Sequence, residues 1–140
     1  MHRRSMPLII FIVGPTAIGK TSLSLKIAKR LKGEIISSDS MQVYKGMDIL
    51  SQAPRLSDSR IKHHLVKIIT PGKEYSAASF RKSAAKIITS IIRRGKTPIV
   101  VGGSGLYIKA LVDDFRLGRK DLRKEIWALF MFENWYDRWM

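Results

Sequence analysis

GPTAIGKT, at residues 14–21, lies directly between an apolar run and a helix-like pattern. The spacing G-x-x-x-x-G-K-T lets a tight turn point backbone N–H groups at phosphate oxygens, with Lys20 as a cation and Thr21 as a hydroxyl ligand for Mg²⁺. The helix that follows would add its positive N-terminal end. The octet therefore predicts a phosphate-binding loop formed by Gly14, Pro15, Thr16, Ala17, Ile18, Gly19, Lys20 and Thr21.

The segments on either side of this loop predict a strand and a helix. Residues 8–13 are bulky and apolar without alternation, as in a central parallel strand that is buried on both faces. From Thr21 to Leu31 apolar residues recur at helical spacing, and Gly33 is predicted to stop the helix. This order predicts an α/β protein with a P-loop NTPase-like parallel sheet flanked by helices.

The composition bounds the class of protein. The chain has 140 residues, enough for one domain with a buried core, and its 45% hydrophobic content is that of a globular protein. The net charge of +15 favours polyanionic partners such as RNA, although a solvated basic surface is as good an explanation. The absence of cysteine fits a reducing compartment. With no signal cleavage site and no apolar stretch that could span a bilayer, we expect a cytoplasmic protein without a membrane partner.

A second short strand places an aspartate near the loop. Residues 34–37 are predicted as a strand, and Asp39 follows its carboxyl end. In open α/β sheets, ligands bind outside the carboxyl ends of the strands, so we expect Asp39 and the phosphate loop to open onto one crevice. A helix cap is the alternative role for this residue.

Three later segments complete the predicted core. Residues 63–69 are predicted as an edge strand, and residues 76–94 as an amphipathic helix that ends at Gly95. Residues 98–101 repeat the buried-strand pattern and lead into a glycine-rich turn at 102–107. Its glycines would allow close backbone approach before another helix that reaches Val112.

Two further features of the sequence limit the reactions that the chain could catalyse, without identifying one. His63 and His64 would point to opposite faces of a strand and have no further ligand at suitable spacing, so we expect a structural or hydrogen-bonding pair rather than a zinc site. No strand ends in a clear metal-binding aspartate, which argues against a motor or switch NTPase. A P-loop small-molecule kinase, with Asp39 activating a hydroxyl, and a non-catalytic basic RNA-binding module both stay open.

Five blocks of sequence resemble those of one enzyme family. They are GPTAIGKT at 14–21, SSDSMQVYKGMDI at 37–49, HHL at 63–65, YS at 75–76 and GGSGLY at 102–107. In this order and with these separations they closely resemble the tRNA dimethylallyltransferase family. The resemblance runs through residues 8–115.

By this resemblance, the protein transfers a dimethylallyl group from dimethylallyl diphosphate to N6 of the adenosine next to the anticodon in tRNA. The loop would hold the diphosphate, and Lys20 together with Mg²⁺ on Thr21 would stabilise it as it leaves. Asp39 would be the general base for the N6 amine. The implied tRNA-binding residues are Asp39, Ser40, Met41, Gln42 and Ser104. The nearest enzyme alternative is an adenylate isopentenyltransferase.

The chain also departs from the family pattern. LSQAP at 50–54 stands where the family usually continues with GTAKP, and Lys67 replaces a usual aspartate. Family members are longer, with a helical insertion that grips the anticodon arm and a C-terminal part that this chain lacks. We therefore expect a P-loop core at 7–115 and a divergent aromatic-rich tail at 116–140, in a monomer. Truncation or a frame shift explains the tail, and an amphipathic helix that covers the open core is the alternative.

Overall fold

The computed structural model describes residues 8–14, 20–39, 60–66, 68–70, 72–103, 105–116 and 126–131. Within these residues the strands are β1 (Leu8–Val13), β2 (Gly33–Ser37), β3 (His63–His64), β4 (Thr97–Gly102) and β5 (Ile126–Met131). The helices are α1 (Lys20–Leu31), α2 (Ala77–Arg93) and α3 (Gly105–Arg116). The strands form one parallel sheet in the order β3-β2-β4-β1-β5. This confirms the predicted α/β fold with a P-loop-like parallel sheet flanked by helices.

The side chains of the central strands alternate between two apolar cores. Ile9, Phe11 and Val13 of β1 pack in the core that α2 and α3 cover, whereas Ile10 and Ile12 pack in the core on the α1 side. All five are buried. Burying a side chain of this size contributes about 1.5–3 kcal/mol, which is why β1 carries no polar residue on either face. The sheet is therefore a rigid platform for the loops at its edges.

Helix α2 has the boundaries that its sequence predicts. The Ser76 hydroxyl caps its first turn by accepting a hydrogen bond from Ser79 N at 3.1 Å. Its apolar stripe is buried, and Phe80 stacks on Tyr107 of α3 with ring centroids 4.6 Å apart. Beyond the last turn, Gly95 has φ of +73°, a left-handed conformation that glycine adopts without strain. The predicted helix and its glycine stop are confirmed.

The turn between α1 and β2 differs from the prediction. The left-handed residue that ends α1 is Lys32, with φ of 51°, and Gly33 is already the first residue of β2. Glycine is needed there for space, because a Cβ on Gly33 would lie 2.7 Å from Ile99 Cδ1 and 2.9 Å from Thr97 O. The prediction that Gly33 stops the helix was therefore wrong about its role.

The two outer strands of the sheet differ from those that the sequence predicted. β3 is the predicted edge strand, but it comprises only His63 and His64, which pair with Ile35 and Ile36 of β2. On the other side, β5 pairs with β1 along all six of its residues. The sequence predicted no strand at 126–131. The boundary between a core and a separate tail near residue 115 stays a prediction.

Candidate functional site

The carboxyl ends of three neighbouring strands lie together at one edge of the sheet, and we call the region beyond them the crevice. β4 lies between β2 and β1, so the residues that follow these strands are neighbours. They are Gly14 after β1, Ser38 and Asp39 after β2, and Gly103 after β4. The first residue of α1, Lys20, reaches the same edge because its ammonium group donates a hydrogen bond to Gly14 O. This is where open parallel sheets bind their ligands.

Lys20 is the buried cation of the crevice. Its side chain is only 9% exposed. Burial lowers the pKa of this lysine from its ordinary value, and the negative charge of Asp39 partly offsets that effect. An anion that entered the crevice would act in the same direction as Asp39 and stabilise the charged form. The lysine thus has a physical preference for an anionic ligand.

Gly103 makes the close approach possible. A Cβ at this position would lie 2.8 Å from Gly14 O and 3.2 Å from Lys20 Nζ. Any side chain there would separate the lysine from the carbonyl that now holds it. The glycine-rich turn after β4 therefore allows the backbone approach that the sequence indicated.

Ser38 is a feature of the crevice that the sequence analysis did not identify. The residue is fully buried, and its backbone N donates to Val101 O at 2.8 Å. Its hydroxyl lies so close to β4 that a Cβ on Gly102 would be 2.3 Å from Oγ. Within the described part of the chain this hydroxyl has no hydrogen-bond partner. Only its position next to Asp39 could have indicated it in the sequence.

Asp39 and Thr21 supply oxygen atoms at the rim. Asp39 is partly exposed, and its backbone N donates to Ser37 Oγ at 3.4 Å. Thr21 is exposed in the first turn of α1, where its carbonyl accepts a hydrogen bond from Ser24 Oγ at 2.7 Å. Hydroxyl and carboxylate oxygens are the donors that Mg²⁺ prefers, so these residue types fit that ion.

The other residues of the predicted site lie outside the described residues. From the phosphate loop these are Pro15, Thr16, Ala17, Ile18 and Gly19. From the predicted tRNA contacts they are Ser40, Met41, Gln42 and Ser104. The structure thus brings together Gly14, Lys20 and Asp39 of the predicted set, with Thr21 beside them. The assigned roles of all these residues stay predictions.

A second polar cluster lies at the opposite end of β2. Glu34 is 1% exposed and accepts hydrogen bonds from both guanidinium nitrogens of Arg94, one of them at 3.0 Å, and its carboxylate lies 2.7 Å from His64 Nε2. Lys96 Nζ lies 3.4 Å from the same carboxylate. The hydrogen-bonding role expected of the histidine pair is confirmed for His64. Burial and the neighbouring charge of His64 lower the pKa of His63.

The described elements define an α/β protein with a P-loop-like parallel sheet flanked by helices. The sequence model of one family, IPP transferase, matches residues 42–137, more than half of the chain. The chain belongs to this family. Within the described residues, no helix is long and apolar enough to cross a membrane.

Relatives and solved structures agree with this assignment. The chain is 50% identical over 124 residues to the tRNA dimethylallyltransferase of Macrococcus caseolyticus, covering 86% of this chain and 39% of that protein. The tRNA delta(2)-isopentenylpyrophosphate transferase of Staphylococcus epidermidis superimposes with a TM-score of 0.73 at 52% identity, covering 75% of this chain and 35% of the other. The tRNA isopentenylpyrophosphate transferase of Bacillus halodurans gives 0.74 at 46% identity, covering 84% and 39%. The chain spans about two-fifths of the length of the curated relatives it matches.

Proposed function

We propose that this chain is the diphosphate-binding part of a tRNA dimethylallyltransferase. The reaction moves a dimethylallyl group from dimethylallyl diphosphate to N6 of the adenosine next to the anticodon in tRNA. The observation that carries the proposal is that a buried lysine, Lys20, and the carboxylate of Asp39 lie within electrostatic reach of each other at the carboxyl edge of the sheet. One group suits the anionic leaving group, and the other suits the amine that attacks.

The leaving group is the part of the substrate that Lys20 would hold. As the bond between the allylic carbon and the diphosphate oxygen breaks, its electron pair stays on the oxygen and negative charge gathers there. A cation in a site shielded from water stabilises that charge more than an exposed cation would. The backbone N–H groups at the start of α1 add to the same effect. When bound, Mg²⁺ would supply Lewis-acid neutralisation of the diphosphate, with Thr21 as its protein ligand.

The attacking amine is the part that Asp39 would serve. The lone pair of an adenine N6 amine is delocalised into the ring, so the amine gains nucleophilicity when a base accepts its proton. In this step the N6–carbon bond forms, and one N6 proton passes to the carboxylate of Asp39.

The test is transfer of labelled dimethylallyl from its diphosphate to an anticodon stem-loop by the full chain. We expect Asp39→Asn, which keeps the shape and removes the charge, to reduce transfer by about 10²–10⁴-fold. Lys20→Met should also reduce transfer, because the departing diphosphate loses the cation that stabilises it. Lys82→Gln is the control and should leave transfer unchanged, because Lys82 is an exposed lysine on α2. Equal transfer by wild type and Asp39→Asn would remove Asp39 from the mechanism.

Ligand-induced stabilisation tests the identity of the bound diphosphate without relying on turnover. Only a ligand that binds the folded state raises the melting temperature. Dimethylallyl diphosphate should raise it for wild type and not for Lys20→Met. Stabilisation by ATP alone would favour a P-loop kinase and contradict the proposal. The predicted contacts of residues 40–42 and 104 with tRNA belong to this proposal, as do the monomeric state and the cytoplasmic location.

A further inference from the structure

Six cationic side chains gather at the amino-terminal edge of the sheet, remote from the crevice. Three belong to the end of α1 and the turn after it, and three to the end of α2 and the turn before β4. Every one of them is exposed. We call this group the basic edge: Lys29, Arg30, Lys32, Arg93, Arg94 and Lys96.

Backbone contacts bring the two halves of the basic edge together. Thr97 N donates to Lys32 O at 3.4 Å, and Thr97 Oγ1 donates to Leu31 O at 3.3 Å. Gly33 and Thr97 are paired as first residues of adjacent parallel strands. The α1–β2 turn and the α2–β4 turn therefore lie side by side, about one strand spacing or 4.8 Å apart. The six cations therefore lie on or beside two adjacent turns at one edge of the sheet.

The charge of this edge exceeds what the fold requires. The carboxyl ends of α1 and α2 each carry about half a negative charge, which accounts for one cation between them. Glu34 accounts for one more, by its ion pairs with Arg94 and Lys96. Among the residues that the structure describes, about four positive charges are left over. In the described part of the chain no carboxylate pairs with Lys29, Arg30, Lys32 or Arg93.

The other carboxylates whose side chains the structure describes lie elsewhere. Asp39 is at the crevice, and Glu74 precedes the amino end of α2, which is the end remote from Arg93. Asp113 forms an ion pair with Lys109 on α3 at 3.0 Å. Positive charge that no described carboxylate compensates costs free energy through self-repulsion, so a polyanionic partner explains it better than helix ends alone.

We propose that the basic edge is a second RNA contact, which binds the phosphate backbone of structured RNA independently of the crevice. The choice of RNA rests on the proposed function. RNA also fits this surface better than a membrane does, because a membrane-binding face combines cations with an apolar stripe. Of the exposed large apolar side chains in the described residues, Leu31, Ile68 and Leu106, only Leu31 lies at this edge. Helix α1 separates the edge from the crevice by about 18 Å, at 1.5 Å for each of its 12 residues.

The test is binding of the full chain to a labelled RNA hairpin whose adenosines are all paired, with no diphosphate present. The variant is Lys29→Gln with Lys32→Gln. Its matched control is Lys82→Gln with Lys86→Gln, two exposed lysines on α2 that lie about 10 Å or more above Arg93. Both doubles remove the same charge from the same residue type. Denaturation midpoints of all three proteins check that the fold is retained.

We expect the basic-edge double to weaken hairpin binding about tenfold at about 0.1 M salt, and to reduce the salt slope of log K by about 1.5–2. The control double should change either quantity much less. Equal weakening by both doubles, or by neither, would overturn the proposal. Loss of binding to vesicles of phosphatidylserine and phosphatidylcholine, with hairpin binding intact, would also overturn it. Because all its adenosines are paired, the hairpin offers no acceptor amine for dimethylallyl transfer. Hairpin binding and dimethylallyl transfer can therefore fail independently of each other.

Discussion

The buried carboxylate of Glu34 allows the most quantitative prediction for this chain. The residue is 1% exposed, and three basic side chains surround it: His64 from β3, and Arg94 and Lys96 from the segment between α2 and β4. Glu34→Gln keeps nearly the same volume and removes the charge. Arg94, His64 and Lys96 then lose their common counter-ion.

The size of the effect follows from the pKa of Glu34. Burial alone would raise this pKa, but hydrogen bonds from Arg94 and His64, together with their charges, outweigh burial and lower it from 4.5 to about 2. A shift of this size corresponds to about 3 kcal/mol of stability. Arg94 and Lys96 are 40% and 47% exposed, so water screens part of the interaction. We therefore expect Glu34→Gln to lower the free energy of unfolding at neutral pH by about 2 kcal/mol.

The same argument fixes the pH dependence and its sign. Because the pKa is depressed in the folded state, the contribution of Glu34 is complete above its ordinary value of 4.5 and is lost as the pH falls towards 2. Wild type should therefore lose more stability than Glu34→Gln between neutral pH and about pH 3. The two proteins should approach equal stability at the acid end.

Urea denaturation at several pH values measures both quantities. The matched control is Asp113→Asn, because Asp113 is 47% exposed and pairs with Lys109, which is 74% exposed. That surface pair should contribute less than about 1 kcal/mol. If Glu34→Gln costs no more than Asp113→Asn, or if both proteins lose stability in parallel as the pH falls, the reasoning from the buried carboxylate is refuted.

Three further predictions concern the crevice and the core. Gly103→Ala should weaken diphosphate binding and destabilise the fold, because its Cβ would lie 2.8 Å from Gly14 O. The control Gly95→Ala should lower the free energy of unfolding by only about 1 kcal/mol, because of its left-handed backbone, and leave binding unchanged. Calorimetric titration measures the binding, and denaturation measures the stability. Lys20→Met should change stability by less than about 1 kcal/mol, since it removes a cation that burial disfavours, yet reduce diphosphate affinity at least tenfold by titration. Phe80→Ala should cost about 3–5 kcal/mol in denaturation, since Phe80 is 1% exposed and stacks on α3; a loss below about 1 kcal/mol would contradict this account of the core.

Much of the fold could be predicted because its signals are local. The strand β1 is readable from an unbroken apolar run, and the helix α2 from the helical periodicity of its apolar stripe, each within one segment. The turn at Lys32 was missed because a lysine in the left-handed region has no signal of its own, while Gly33 beside it offered a false one. The strand β5 was missed because strand pairing depends on a partner far away in the sequence, here β1.

The same distinction applies to the two polar clusters. Lys20 and Asp39 could be placed at one edge because both follow predicted strands, and the topology of parallel sheets does the rest. The Glu34 cluster could not be predicted, because its partners His64 and Arg94 lie 30 and 60 residues away in the sequence. Ser38 could not be distinguished from any other serine after a strand, since only the packing against Gly102 shows that it is buried.

The parallel sheet also keeps the two clusters independent of each other. Glu34 and Asp39 lie at opposite ends of β2, roughly 17 Å apart at about 3.3 Å per residue. When two substitutions lie this far apart and share no contact, their effects on the free energy of unfolding add to within about 0.5 kcal/mol. Glu34→Gln with Gly103→Ala should therefore lose the sum of the two single losses in urea denaturation. A coupling well above that limit would mean that β2 transmits strain from one end to the other, and the basic edge and the crevice could then no longer be treated as separate sites.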